Sequence, residues 1–331
     1  MQSDSLFGLS AQKAASICRG SRSLNTIKGF AFLLAGLFLL SAGVRAEPFT
    51  FAALGDTQDI SVRGQERLAG LIESVNRREP TFVVHVGELK GGGDACDDAY
   101  YKRLLHTANR FSNPLVYLPG DNDWTDCARS RYDPLERLNY LRELLYSESV
   151  SLGKTAMPLS RQSVQPEFSR FPENVWWQHG DVGFAAFHNV GSNNNLYTDP
   201  DAIQEHLDRN AANLAWLDQV FEKASSAKAL VLFTHANIKF GSPAWEPTGF
   251  DSFRVALSDH VREFARPVLF VHGDTHSHKI DKPLKHQGET VAHFTRLEVF
   301  GSPDLGVVYV HVHPETEHVF RFEPVSFIAS D

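Results

Sequence analysis

The chain has 331 residues, 42% of them hydrophobic and 22% charged, ordinary proportions for a globular protein. That length allows one sizeable α/β domain with insertions. The formal charge of −8 offers no basic face, which argues against nucleic acid as the main partner.

Residues 1–46 are expected to be a secretory signal. Lys13, Arg19, Arg22 and Lys28 make a positive segment, residues 29–40 are an apolar core, and Val44 and Ala46 around Arg45 form an acceptable cleavage site. The apolar run is short for a membrane span. An uncleaved N-terminal anchor is the minority alternative, and it is the one expected route to a membrane. The expected location is periplasmic or secreted, with residues 47–331 as a single domain. Cys18 leaves with the signal. Cys96 and Cys127 each follow a carboxylate-bearing strand end, and in an oxidising compartment a disulfide between them is favoured over a role as metal ligands.

Residues 47–56 read as the first strand, and residues 65–78 as a helix carrying Leu68, Leu71, Ile72 and Val75 at helical spacing. Residues 81–88 make a second strand followed by a glycine loop, and 98–110 a helix. Residues 114–121 form a third strand, and 134–145 a leucine-rich helix. This βαβαβα order predicts a largely parallel sheet. Residues 147–174 hold three prolines and read as a surface excursion. Residues 175–179 and 183–190 predict a hairpin, 211–224 an amphipathic helix, 229–235 a strand, 251–264 a helix, and 268–271 a buried strand. Short strands over 290–300, 306–313 and 317–322 complete a central sheet whose later half reads as rich in hairpins, with helices outside.

Five apolar strands close on polar donors: Gly55-Asp56, Gly87-Glu88, Gly120-Asp121, His235, and Gly273-Asp274 with His276. The carboxyl ends of strands in an open α/β sheet are where ligands bind. One Gly-Asp after a strand is more often a turn. Five such ends in order point to one metal cup.

At these residues the sequence resembles the calcineurin-like metallophosphoesterases. Their five blocks correspond here to Gly55-Asp56-Thr57-Gln58, Gly87-Glu88, Gly120-Asp121-Asn122-Asp123, His235, and Gly273-Asp274-Thr275-His276. The resemblance implies an α/β fold with central mixed β-sheets flanked by helices. It also implies a dinuclear site hydrolysing a phosphoester through a metal-activated water. One metal would take Asp56, Glu88, His276 and, weakly, Gln58; the other would take Glu88, Asp121, His235 and Asp274. Asp56, His235 and His276 keep the family's ligand types. Gln58 and Asp274 stand where the family has histidines, Glu88 where it has an aspartate, and Asp121 where it has an asparagine. Asn122 replaces the histidine that assists the reaction, so Asn122 and Asp123 are the catalytic candidates, with His272 the alternative to Asp123 as proton donor. A carboxylate-rich set favours Mn²⁺ or Mg²⁺, with Fe and Zn the alternatives. Lys90, Asn193 and Asn194 are candidate substrate contacts, the asparagines equally readable as a left-handed turn. The rival reading is a metal- or anion-binding module without turnover.

Overall fold

The computed structural model describes residues 47–242 and 245–327; the expected signal lies outside the described residues. The elements in order are β1 (Phe49–Leu54), α1 (Val62–Arg78), β2 (Val83–His85), α2 (Asp98–Ala108), β3 (Leu115–Tyr117), α3 (Pro134–Leu145), β4 (Ser160–Arg161), β5 (Val175–His179) and β6 (Val182–Ala186). They continue with α4 (Pro200–Lys223), β7 (Ala229–Phe233), α5 (Asp251–Phe264), β8 (Val268–His272), β9 (Lys279–Asp281), the small hairpin β10 (Lys285–His286) and β11 (Glu289–Thr290), then β12 (Phe294–Glu298), β13 (Gly306–Val312) and β14 (Phe320–Ser326). No described helix is long and apolar enough to cross a membrane.

Two mixed sheets form, in the orders β14-β13-β1-β2-β3 and β4-β5-β6-β7-β8-β12-β9. Strands β1, β2 and β3 run parallel, as do β6, β7, β8 and β12. Alternation along each strand explains the layering. Phe51 and Ala53 of β1, and Ala229, Val231 and Phe233 of β7, point into the core between the sheets. Ala52 and Leu54 point the other way, onto Leu68, Leu71, Ile72 and Val75 of α1. Leu230 and Leu232 meet Trp216, Leu217, Leu257 and Val261 on α4 and α5. Edge-to-face rings lock the sheets together: Phe51 lies 5.8 Å from both Phe184 and Phe233. Each fully buried Leu, Ile or Phe contributes about 1.5–3 kcal/mol through this burial.

Four helices begin where a side chain caps them, α2 through Asp97, which accepts from the Tyr100 amide. Ser61 accepts from the Gly64 amide, while Asp133 and Asp199 each cap a helix opening on proline, at Pro134 and Pro200.

Two expectations change. The central mixed sheets that the resemblance implies are present, two of them, whereas the residues alone read as one sheet rich in later hairpins; the second sheet is built on parallel strands joined through α4 and α5. The helix expected over 211–224 starts at Pro200. Its first half buries Glu205, His206 and Arg209, so apolar periodicity there is interrupted by polar residues that point inward. The disulfide between Cys96 and Cys127 is present, Cα atoms 5.6 Å apart, and ties the loop after β2 to the loop after β3.

Candidate metal centre

The loops after β1, β2, β3, β6, β7 and β8 meet at one place. His235 is at its middle, fully buried. Its Nδ1 lies 2.8 Å from the carbonyl oxygen of Val86. A carbonyl only accepts, so Nδ1 carries the proton there and Nε2 faces the carboxylates. From Nε2, Asp121 Oδ1 is 3.0 Å away, Glu88 Oε1 3.3 Å and Asp274 Oδ1 4.0 Å. Asp56 Oδ1 is 4.0 Å from Nδ1. His276 approaches from the far side, its Nε2 3.9 Å from Asp56 Oδ1 and its Nδ1 2.7 Å from the Ser302 carbonyl.

Two donor sets are tight enough to hold a cation: Asp56, Glu88 and His235, and Asp121, His235 and Asp274, each within 4.8 Å. His235 is common to both. Four carboxylates gathered this closely, with Asp56 and Glu88 almost wholly buried, repel one another. Burial pushes Asp56 up to about 6, and pushes Glu88 and Asp274 upward too. Burial alone would lower His235, but Glu88, Asp121 and Asp56 hold its pKa well above the ordinary value. For Asp121, burial is overcome by hydrogen bonds from His235, Glu88 and Ser192, which draw its pKa down. Any proton held by Asp56, Glu88, Asp274 or His235 Nε2 must leave before that atom can ligate a cation, which links cation binding to pH.

The backbone supports that fit. Asp56, Glu88, Asp274 and His276 have φ of 50°, 70°, 79° and 57°. Such left-handed conformations are uncommon for residues other than glycine, and their clustering marks functional sites. A Cβ on Gly273 would lie 2.1 Å from Asp56 Oδ2, so only glycine lets that turn close over the carboxylate. Oxygen donors with one or two imidazoles suit a hard divalent ion.

The seven predicted metal residues come together, with one difference of detail. The amide nitrogen of Gln58 hydrogen-bonds Glu88 and lies 3.2 Å from His276 Nε2. Gln58 would have to turn its carbonyl inward to act as a ligand.

The catalytic candidates separate. Asn122 is half-buried, and its backbone amide donates to Glu88 Oε1 at 3.2 Å. Asp123 is not placed as a proton donor. Its carboxylate is fully buried and accepts from the Glu88 amide at 3.1 Å, the Gly120 amide at 2.8 Å, Tyr117 at 2.7 Å, and Tyr100.

The substrate candidates also differ from expectation. Asn193 and Asn194 spend their side chains internally, on Leu196, Gly249, Val190, Asn189 and Arg209. They belong to a left-handed turn, the other reading of that segment. Lys90 is buried, and its Nζ donates to the Gly91 carbonyl at 3.2 Å. Trp124 is buried against Leu138 and Val190. Sequence reasoning missed Ser192, whose hydroxyl reaches Asp121, and Asp126 beside it. The polar run after β6 is the available signal for the serine.

No protein-family model matches the sequence, and no curated protein does. Solved structures do match. A dimetal phosphatase from Danio rerio aligns with a TM-score of 0.52 at 11% identity, over 85% of this chain and 100% of that one. GAP50, an anchor in the inner membrane complex of Plasmodium, aligns at 0.49 and 12%, over 84% and 89%. A purple acid phosphatase from yellow lupin seeds aligns at 0.49 and 12%, over 85% of this chain and 54% of that one. The fold, two mixed sheets flanked by helices, is shared with that dimetal phosphatase.

Proposed function

We propose that this protein is an exported, metal-dependent phosphoesterase. The supporting observation is the convergence of carboxylates from both sheets on His235, in a fold shared with a dimetal phosphatase. The leader-like residues 1–46 and the Cys96–Cys127 disulfide support export to a periplasmic or extracellular space.

Asp56, Glu88 and His276, with Gln58 turned, would hold one cation; Glu88, Asp121, His235 and Asp274 would hold the other. Mn²⁺ or Mg²⁺ suits the oxygen-rich set best. When bound, such ions polarise phosphoryl oxygens and lower the pKa of a nearby water. The protein's own part is to position them, to fix the His235 tautomer through Val86, and to offer the Asn122 side-chain amide to a phosphoryl oxygen. That amide cannot deliver a proton, and the Asp123 carboxylate is engaged by four donors. The leaving group therefore departs without a proton from either residue, which favours a good one, such as a pyrophosphate or an aryl phosphate.

The same missing donor favours a second reading, a metal- and anion-binding module without turnover. One assay separates the two: hydrolysis of aryl phosphates and pyrophosphates by the Mn²⁺-loaded protein beside its Asp56→Ala variant. Turnover lost in the variant supports the enzyme. Bound metal with no turnover across the panel supports the binder, and equal rates in both proteins overturn the assignment of this centre.

A further inference from the structure

After β6 the chain makes a turn that ordinary sequences avoid. Ser192, Asn193, Asn194 and Asn195 all lie in the left-handed region, with φ of 51°, 54°, 56° and 60°. Single residues visit that region, asparagine most readily after glycine, but consecutive ones accumulate strain. Something must hold the run in place.

The brace comes from α4. Arg209 is fully buried and pairs with Glu205 at 2.7 Å. Its guanidinium donates to the Asn194 carbonyl at 3.0 Å, to the His188 carbonyl at 2.9 Å, and to Asn194 Oδ1. His206 Nδ1 reaches the Asn194 carbonyl at 2.8 Å, and Asn195 donates to Glu205 Oε2 at 2.8 Å. The Asn193 and Asn194 side chains then clamp Gly249, at 2.9 Å and 3.0 Å.

What the brace presents is the entrance of the turn, which lies against the cup. A Cβ on Gly191 would fall 2.4 Å from Asp274 Oδ1 and 2.6 Å from Asp121 Oδ1, so the backbone itself forms a wall there. Ser192 Oγ donates to Asp121 Oδ2 at 2.6 Å, with Asp126 Oδ1 3.4 Å away. The other oxygen of Asp121 faces His235 Nε2 at 3.0 Å. One oxygen is tied back and the other is aimed at the donor set shared with His235 and Asp274.

We propose that Ser192 is a positioning residue for the metal ligand Asp121, and that Arg209 is the brace that holds it there. Ser192 fixes which carboxylate oxygen faces the cation and limits the carboxylate's rotation. Partners that orient ligands in this way are typically worth about 10–100-fold in metal affinity. The inference rests on the dinuclear reading above.

The test is a calorimetric Mn²⁺ titration of the parent and of Ser192→Gly, together with the melting temperature of each metal-free protein. Glycine suits a left-handed position, so the exchange removes the hydroxyl without adding backbone strain. The expected result is two sites in the parent and a loss of about 10–100-fold at one site only in Ser192→Gly, with the metal-free melting temperature unchanged or raised. A merely structural serine would instead lower the metal-free melting temperature or weaken both sites together, and that result overturns the proposal. Equal affinities in parent and variant overturn it as well, leaving the metal centre itself standing. A parent that binds no Mn²⁺ removes both readings at once.

Discussion

The Nδ1 of His235 sits 2.8 Å from the carbonyl oxygen of Val86, in the strand end that leads to Glu88. That contact joins the two sheets at their ligand-bearing edge and decides which ring nitrogen faces the carboxylates. His235→Ala removes the imidazole nitrogen assigned to the cation held by Glu88, Asp121 and Asp274, so the loss falls on that site. The variant is expected to lower Mn²⁺ affinity there by about 100-fold or more, above what removal of an orienting partner costs. His235→Gln should retain more affinity than the alanine variant. A titration showing parent-like binding in His235→Ala would remove His235 from the centre.

Asp123 is predicted to matter for stability rather than for turnover. Four donors converge on its carboxylate, two from tyrosines and two from the backbone of the Glu88 and Gly120 turns. Asp123→Asn removes the charge those donors stabilise and introduces an amide N–H₂ among them. It should cost about 2–3 kcal/mol in urea unfolding. The rate per folded molecule should change by only a few-fold. Parent-like stability with a collapsed rate would make Asp123 a catalytic group after all.

The disulfide should be structural. Cys96 and Cys127 are both fully buried and stand 31 residues apart in sequence. Closing a loop of that size stabilises by about 3–4 kcal/mol through the unfolded chain. The Cys96→Ser, Cys127→Ser double variant should lose about that much in equilibrium unfolding. A loss below about 1 kcal/mol would mean that the packing of α2 and α3 holds these loops unaided.

Acid should destabilise the fold. Burial pushes His85 down to about 3 and His272 to about 4, and it also lowers His188 strongly. In the unfolded chain each accepts a proton near pH 6.5. As pH falls below that value the unfolded state binds more protons than the folded one, so stability drops. His85 and His272 together give a slope approaching about 2.7 kcal/mol per pH unit between pH 6.5 and 4. Asp56, Glu88 and Asp274 act in the opposite sense in the metal-free protein: burial raises Asp56 from 3.8 to about 6 and raises the other two as well, so in that window the folded state holds protons the unfolded chain lacks. Metal binding requires these carboxylates ionised and removes the offset. The urea midpoint of the Mn²⁺-loaded protein should therefore fall from pH 6.5 to 4.5, while that of the metal-free protein should fall less or stay level. A midpoint independent of pH in the Mn²⁺-loaded protein would contradict the neutral buried histidines.

Much of this was legible in the residues. The strands announce themselves as apolar runs ending in Gly-Asp, Gly-Glu or His, and helices such as α1 and α3 combine apolar spacing with a capping serine or aspartate. The division into more than one sheet was legible only through the resemblance, because alternation tells which residues are buried but not which sheet covers them. Phe51 and Phe233 are equally apolar whether they pack on a helix or on each other. Asp123 misled for a related reason: a turn carboxylate next to a ligand reads as available until Tyr100 and Tyr117, distant in sequence, are seen to donate to it. Arg209 was invisible because a buried arginine in the middle of a helix interrupts the pattern that would otherwise have marked that helix as buried.

The central claim is that these loops hold two divalent cations as neighbours. Electron paramagnetic resonance of the Mn²⁺-saturated protein tests it most directly. Two ions sharing this cup at about 3.5–4 Å should give an exchange-coupled spectrum that is lost in Asp56→Ala. An uncoupled six-line Mn²⁺ signal at saturation, identical in parent and variant, would contradict the account.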